Sequence, residues 1–227
     1  MQVILSLWLG FLAGYNPSTT VLQPSTLRAK PGYTLQISTK AAFDKAHYLA
    51  KPSIVMNWHN VTVSKKSVRI KLSNGKAVSF VGKPAEKYEV DQEEFSYAGS
   101  IAAIHKCLVR CQYWESSRTY IVDQQSGRVD TLWGTPALSS DLTRMASLYA
   151  GWGMEEINGV QIYKMVNGRV KPLITIDQQD WIPIDLCWSG SQVVLLKVVP
   201  AAVAEKEAGQ LARLPASKYK YLQLTIR

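Results

Sequence analysis

From Ser53 onward, apolar and polar residues alternate along most of the chain. In "SKKSVRIKL" (Ser64 to Leu72), Val68, Ile70 and Leu72 are interleaved with Arg69 and Lys71. A strand with one buried and one solvated face has this period. Further short runs of the same kind are "SIVMNW", "VTVS", "AVSFV", "IAAIHKCLVRCQYW", "RTYIVDQ", "RVDTLW", "MASLYA", "VQIYKMV", "RVKPLITI", "VVLLKVV" and "YKYLQLTI", most of them bounded by turn-forming residues. Upstream, "YTLQIST" (Tyr33 to Thr39) reads as a short strand. "KAAFDKAHYLA" (Lys40 to Ala50) reads as one helix, stopped by Lys51-Pro52 because a proline disfavours helical backbone in the residue before it. "AVAEKEAGQLARL" (Ala202 to Leu214) is either a second helix or the loop of a final hairpin joining "VVLLKVV" to "YKYLQLTI".

Three segments share one plan. "RIKLSNGKAVSFV", "YIVDQQSGRVDTL" and "QIYKMVNGRVKPL" each contain an apolar strand, an Asn-Gly or Ser-Gly turn, a basic residue and a second apolar strand. They read as three β-hairpins in which Gly75, Gly127 and Gly168 supply the positive φ of a tight turn. The glycines recur at intervals near the length of a propeller blade.

The hairpin "YIVDQQSGRVDTLWG" is followed by "TPALSSDLTRMASLY", in which Pro136, Ser139 and Asp141 precede an outgoing apolar strand. This succession resembles the blade pattern of TolB-type and WD-repeat-like β-propellers, with Ser140 where that pattern has Pro and Leu142 where it has Gly. The segment "VRCQYWESSRTYIVDQQSGRVDTLWGTPALSSD" is similar to small secreted bacterial proteins of uncharacterised function that carry incomplete propeller-like sheets. The likeness extends over roughly residues 60 to 199, and its motifs are structural, so it implies a fold and no activity. In that pattern Glu115 would be a polar contact at a strand end.

Composition changes little in this picture. At 227 residues, with 47% hydrophobic and 19% charged residues, the chain can bury a core without metal or disulfide staples. Charge matters more. A net charge of +9 favours contact with polyanions through counterion release and long-range attraction. If the cations are only the solvated faces of strands they will be scattered; a binding surface requires them to gather on one face.

At the N-terminus, "VILSLWLGFLAG" (Val3 to Gly14) has the length of a signal-peptide apolar region and is too short to span a bilayer unaided. A secretory signal is one expectation. A buried first strand or helix is the other, since no Lys or Arg precedes the run and no small-x-small cleavage pair closes it. Cys107, Cys111 and Cys187 are odd in number, and a strand holds the first two about 13 Å apart at ~3.3 Å per residue, so free buried thiols are expected. His47, His59 and His105 complete no zinc pattern with them. Asp177, Asp180 and Asp185 could hold Ca²⁺ through oxygen, but the stretch lacks the glycine and closing Glu of a calcium loop and reads as turn carboxylates. No nucleophile elbow, phosphate loop or dinucleotide fingerprint occurs. Trp58, Trp114, Trp133, Trp181 and Trp188 sit mostly at strand ends, and most of them are expected to be core or inter-sheet contacts. Trp152 and Met154, in a glycine-rich segment, are the expected exceptions.

The sequence therefore predicts a mainly β protein of antiparallel hairpin repeats in a partial or irregular propeller-like domain over 32–227, preceded by a signal or apolar segment over 1–20. It predicts a non-catalytic secreted or periplasmic binding module with no cofactor and no transmembrane span, whose partner is another envelope protein or an acidic polymer. The alternatives are a hydrolase with a loop-assembled site and a polyanion-binding protein. No catalytic, metal or cofactor residue is singled out.

Overall fold

The computed structural model describes residues 28–30, 32–50, 53–83, 92–114, 116–151, 158–207 and 211–227. The expected signal segment, Glu115, Trp152 and Met154 lie outside them. The described chain is mainly β, and every strand pairing is antiparallel.

The strands form four sheets. Sheet I holds β3 (Val61–Val63), β4 (Ser67–Lys71) and β5 (Ala77–Val81). Sheet II is the meander β6 (Glu94–Ile101), β7 (Lys106–Gln112), β8 (Ser117–Asp123) and β9 (Val129–Leu132). Sheet III is the meander β10 (Ala137–Leu138), β11 (Arg144–Ala150), β12 (Asn158–Val166) and β13 (Arg169–Asp177). Sheet IV contains β14 (Trp181–Trp188), β15 (Val193–Pro200) and β16 (Lys220–Ile226). It is completed by β2 (Tyr33–Ile37) and β1 (Arg28–Lys30) from the other end of the chain. Pairing of β2 with β16 ties the two ends of the described chain together, with Tyr33 opposite Ile226.

The alternation of each strand becomes the packing of the series. In β4, Val68 and Ile70 are buried and Arg69 and Lys71 exposed. Val68, Ile70 and Leu72 meet Tyr97, Val109 and Val122 of sheet II. The other face of sheet II, through Ile101, Leu108 and Ile121, packs on Met145, Tyr163 and Val170 of sheet III. The far side of sheet III, through Val160, Ile162 and Ile174, packs on Trp188, Leu196 and Leu224 of sheet IV. Sheets I to IV are thus packed face to face in chain order.

The outer face of sheet IV is covered by α1 (Lys40–Leu49) and by the connector that carries α2 (Ala201–Ala204). Phe43 and Ala46 of α1 bury against Cys187, Leu195 and Tyr221, joined by Leu211 and Leu214. The expected helix forms where the alanines permit it, capped by the Thr39 hydroxyl accepting from the Ala42 amide. Residues 202–214, the other helical candidate, are mostly the connector of the last hairpin, with three of the four residues of α2 and a single 3₁₀ turn described. The long run from Ile101 to Trp114 is also divided. Ala102–Ile104 forms a 3₁₀ turn and His105 takes a left-handed conformation, so β6 ends and β7 starts anew at Lys106.

Candidate functional site

The three Gly-centred hairpins form as expected. Gly75, Gly127 and Gly168 all have positive φ, and Asn167 joins Gly168 in the left-handed region. The four sheets are packed so that these turns lie at one common end. The Ser73 amide donates to the Gln124 carbonyl at 2.9 Å, and the Asn74 side chain reaches the Gln125 carbonyl, which sets the turn of sheet I against that of sheet II. Lys106 Nζ donates to Asp123 Oδ2 at 2.5 Å and to the Gly168 carbonyl at 2.7 Å, which sets the turn of sheet II against that of sheet III. Arg144 continues the row by donating from Nη1 to the Ser191 carbonyl in the β14–β15 turn of sheet IV, at 2.8 Å.

Charge is unevenly placed on this frame. Lys71, Lys76, Lys164, Arg169 and Lys171 are exposed at or next to the turn end, and none makes an ion pair among the described residues. The carboxylates at the same end are engaged internally. Asp123 accepts from Lys106 and, through Oδ1, from the Ser126 amide and hydroxyl. Burial works against its charge, yet these bonds and the Lys106 ammonium hold the carboxyl far below the ordinary carboxylate range. Asp130 accepts the Val170 amide at 3.1 Å and lies 3.8 Å from Arg128 Nε. Asp141 accepts from the Ser139 hydroxyl and the Thr143 amide, which lower its pKa in that order.

At the opposite end cations pair with carboxylates. Lys40 pairs with Asp44, Lys83 with Glu93 and Lys218 with Glu207. Sheet I carries cations at both ends, with Lys65 and Lys66 exposed and without an ion pair at the β3–β4 turn beside Gly82, opposite the Gly75 turn. Residues 53–83 contain Lys65, Lys66, Arg69, Lys71, Lys76 and Lys83 and no Asp or Glu. Acidic residues resume in the sequence at Glu86, Glu89 and Asp91, outside the described residues, and then at Glu93 and Glu94.

Two cavities lie beside the sheets, one of them reaching the β14–β15 turn at Ser189 and Gly190. One, of about 1030 Å³, is a largely apolar cleft between the C-terminal end of α1 and the first strands of sheets II, III and IV, walled by Leu49, Ile54, Ile101, Leu138 and Leu186. The other, of about 710 Å³, lies across the Pro136–Ala137 ridge and is lined by Arg110, Gln112, Trp133, Tyr149 and Asp185. His47 Nε2 stands 3.6 Å from Asp185 Oδ2, both about half exposed, where the two cavities approach. The serine in the cleft wall with a carboxylate beside it is Ser139. Its hydroxyl donates to Asp141 and accepts the Arg144 amide, bonds that build the β10–β11 turn.

The other sequence candidates separate. Asp177 accepts the Asn158 amide through its carboxylate and the Asp185 carboxylate faces His47, so these two serve different places, while Asp180 accepts the Ala201 amide through its backbone carbonyl. No group of three metal-binding side chains comes together among the described residues. All three thiols are free and buried, Cys107 between sheets I and II and Cys187 under α1. Burial pushes the Cys107 thiol up to about 11 and the Cys187 thiol up to about 12, so neither is a ready nucleophile.

Trp181 and Trp188 pack between sheets III and IV as expected, with Trp188 Nε1 bonded to the Ala137 carbonyl. Trp58 and Trp114 depart from expectation, being 51% and 53% exposed; Trp58 covers the rim of the sheet I–II core by leaning on Tyr97. Lys106, unremarked in the sequence, is 2% exposed and joins sheets II and III. Its only local sign is a lysine beginning an otherwise apolar strand. No protein-family model matches the chain, and no curated protein matches it either. Among the described residues no helix is long and apolar enough to cross a membrane.

Proposed function

We propose that the protein is a non-catalytic binding module that engages an acidic partner through the turn ends of sheets I to III and the adjoining outer face of sheet I. The observation that carries this reading is the asymmetry of charge. At the turn end the exposed cations have no ion pair and the carboxylates are tied into turns and sheet junctions, whereas at the other end the cations, Lys65 and Lys66 included, stand among carboxylates such as Asp44, Glu93 and Glu207. A surface so arranged attracts polyanions at long range and loses that attraction as salt shortens the Debye length to about 8 Å at physiological strength.

The sheet series itself supports an open, irregular propeller as the scaffold. Successive meanders pack face to face, and an N-terminal strand completes the last sheet. The end faces of the series are occupied differently: α1 and the connector cover sheet IV, whereas the outer face of sheet I presents Thr62, Arg69 and Ser79 to solvent. We place the protein outside the cytoplasm, on the apolar stretch from Val3 to Gly14.

Binding of the purified protein to a panel of acidic polymers, at low salt and at high salt, tests the proposal alongside a broad hydrolase substrate screen. Salt-sensitive binding without turnover is expected. Reproducible turnover abolished by one Ser, Asp or Glu substitution would overturn it.

A further inference from the structure

We propose that the acidic partner is a linear acidic polysaccharide laid across the three stacked hairpin turns. This rests on the binding-module reading above and deepens it. In each hairpin the residue after the turn glycine is a cation: Lys76, Arg128 and Arg169. Stacking brings these repeats into spatial order. Lys76 is bonded opposite Leu72, whose side chain enters the core facing sheet II, so the two share that face. Arg128 is bonded opposite Asp123, whose carboxylate reaches the sheet III turn. Arg169 stands on the face of β13 opposite to that of Val170, which packs on sheet II, and so on the side of sheet IV. The same turn position therefore directs a cation toward the next sheet three times in succession, of which Lys76 and Arg169 have no ion pair and Arg128 shares its charge with Asp130. Sheets packed face to face lie about 10 Å apart, so the cations recur at about that interval.

The groups between the cations decide the chemistry. The turn tips expose the amides of Gln125 and Asn167, which donate and accept hydrogen bonds as sugar hydroxyls require, beside Asn74, whose amide is engaged by Lys76 and Gln125. Carboxylate or sulfate groups on the polymer would meet Lys76, Arg128 and Arg169. Single-stranded nucleic acid calls for a row of free aromatic faces, and the nearby Trp58 has its ring against Tyr97. An anionic membrane surface calls for large apolar side chains to insert, and beside these tips only Val129 and Val166 are exposed, each by little more than a third.

A second observation indicates an anion at the same end. Arg144 lies directly opposite Lys164, and Lys164 directly opposite Lys171. Like charges opposed across strands repel, and a bound polyanion relieves that repulsion.

The test is equilibrium binding of the full chain to size-graded heparin fragments at low ionic strength. Affinity is expected to rise with fragment length until the fragment spans the three turns, roughly 20–30 Å from the sheet spacing, and then to level. Exposed ion pairs are worth up to about 1 kcal/mol each, roughly three- to fivefold. Lys76→Gln/Arg169→Gln should therefore weaken binding roughly 10- to 25-fold, and adding Arg128→Gln, whose guanidinium already faces Asp130, should add less than either single loss. The exposed pair guards against misfolding by the half-buried Arg128, and a Lys45→Gln/Lys220→Gln control should bind like the parent. Binding of heparin that ignores the turn substitutions would overturn the inference. So would single-stranded DNA of equal charge bound as tightly as heparin and lost in the same variants, although the broader acidic-partner reading would then stand. No binding to any acidic polymer would overturn both.

Discussion

Lys106→Met should destabilise the protein by about 3 kcal/mol at pH 7. The ammonium is 2% exposed and holds Asp123 on one side and the Gly168 carbonyl on the other. Breaking a buried ion pair by removing one partner costs about 3–5 kcal/mol, and the carbonyl of the exposed Gly168 can take water in place of the ammonium. Two features pull the total to the low end. Asp123 is 14% exposed, and its other oxygen keeps the Gln125 and Ser126 donors. Methionine also retains most of the apolar volume of the lysine stem.

The pH dependence gives a sharper test. The folded-state pKa of Asp123 lies below its unfolded value, about 3.9 for a free Asp. The pair therefore contributes fully above that value and loses its contribution as pH falls below it toward the folded pKa. Urea unfolding of parent and variant at pH 7, 5 and 3 should show a penalty that is constant between 7 and 5 and smaller at 3. A penalty under about 1 kcal/mol at pH 7, or one that does not change on acidification, would refute the reasoning.

Leu142 stands where the propeller-like turn pattern has glycine, and it adopts φ 59°. Leu142→Asn, which tolerates the left-handed region, should raise stability by about 0.5–1 kcal/mol, read from the urea midpoint at constant m-value. Gly159→Ala should cost more than about 3 kcal/mol and lower the melting temperature sharply, because a Cβ there would run into the Ile176 carbonyl oxygen across β12 and β13. Native protein at pH 8 should react with iodoacetamide far more slowly than free cysteine, whereas denatured, unreduced protein should be alkylated at Cys107, Cys111 and Cys187 alike; a bridge to Cys187 seen by mass spectrometry would contradict the packing.

What the sequence made legible was local. Alternation in "VRIKL" predicted which face of β4 is buried, and the Asn-Gly and Ser-Gly pairs placed the hairpin turns, because both signals are contained within a few residues. The departure at Leu142 was legible too, and the backbone there has the glycine-like conformation that the turn demands. Pairing of β2 with β16 was not legible, since contact between opposite ends of a chain leaves no mark in either segment. Burial of Lys106 depends on partners 17 and 62 residues away. The 3₁₀ break at Ala102–Ile104 contains neither Gly nor Pro and passed as continuous strand. Trp58 and Trp114 resembled their buried counterparts because a strand-end tryptophan reads the same on a rim as between sheets. The basic residue after each turn glycine was visible one hairpin at a time. Its meaning required the stacking of Asn74 on Gln125 and of Lys106 on Gly168, which only the assembled sheets supply.

The most direct test is a map of amide chemical-shift changes as size-graded heparin fragments are added to isotope-labelled protein. The account predicts that the largest changes fall on Asn74, Lys76, Gln125, Ser126, Asn167 and Arg169, in one contiguous row across sheets I to III. Changes confined to the apolar cleft around Leu49, Ile101 and Leu186, with the turn row unmoved, would contradict it.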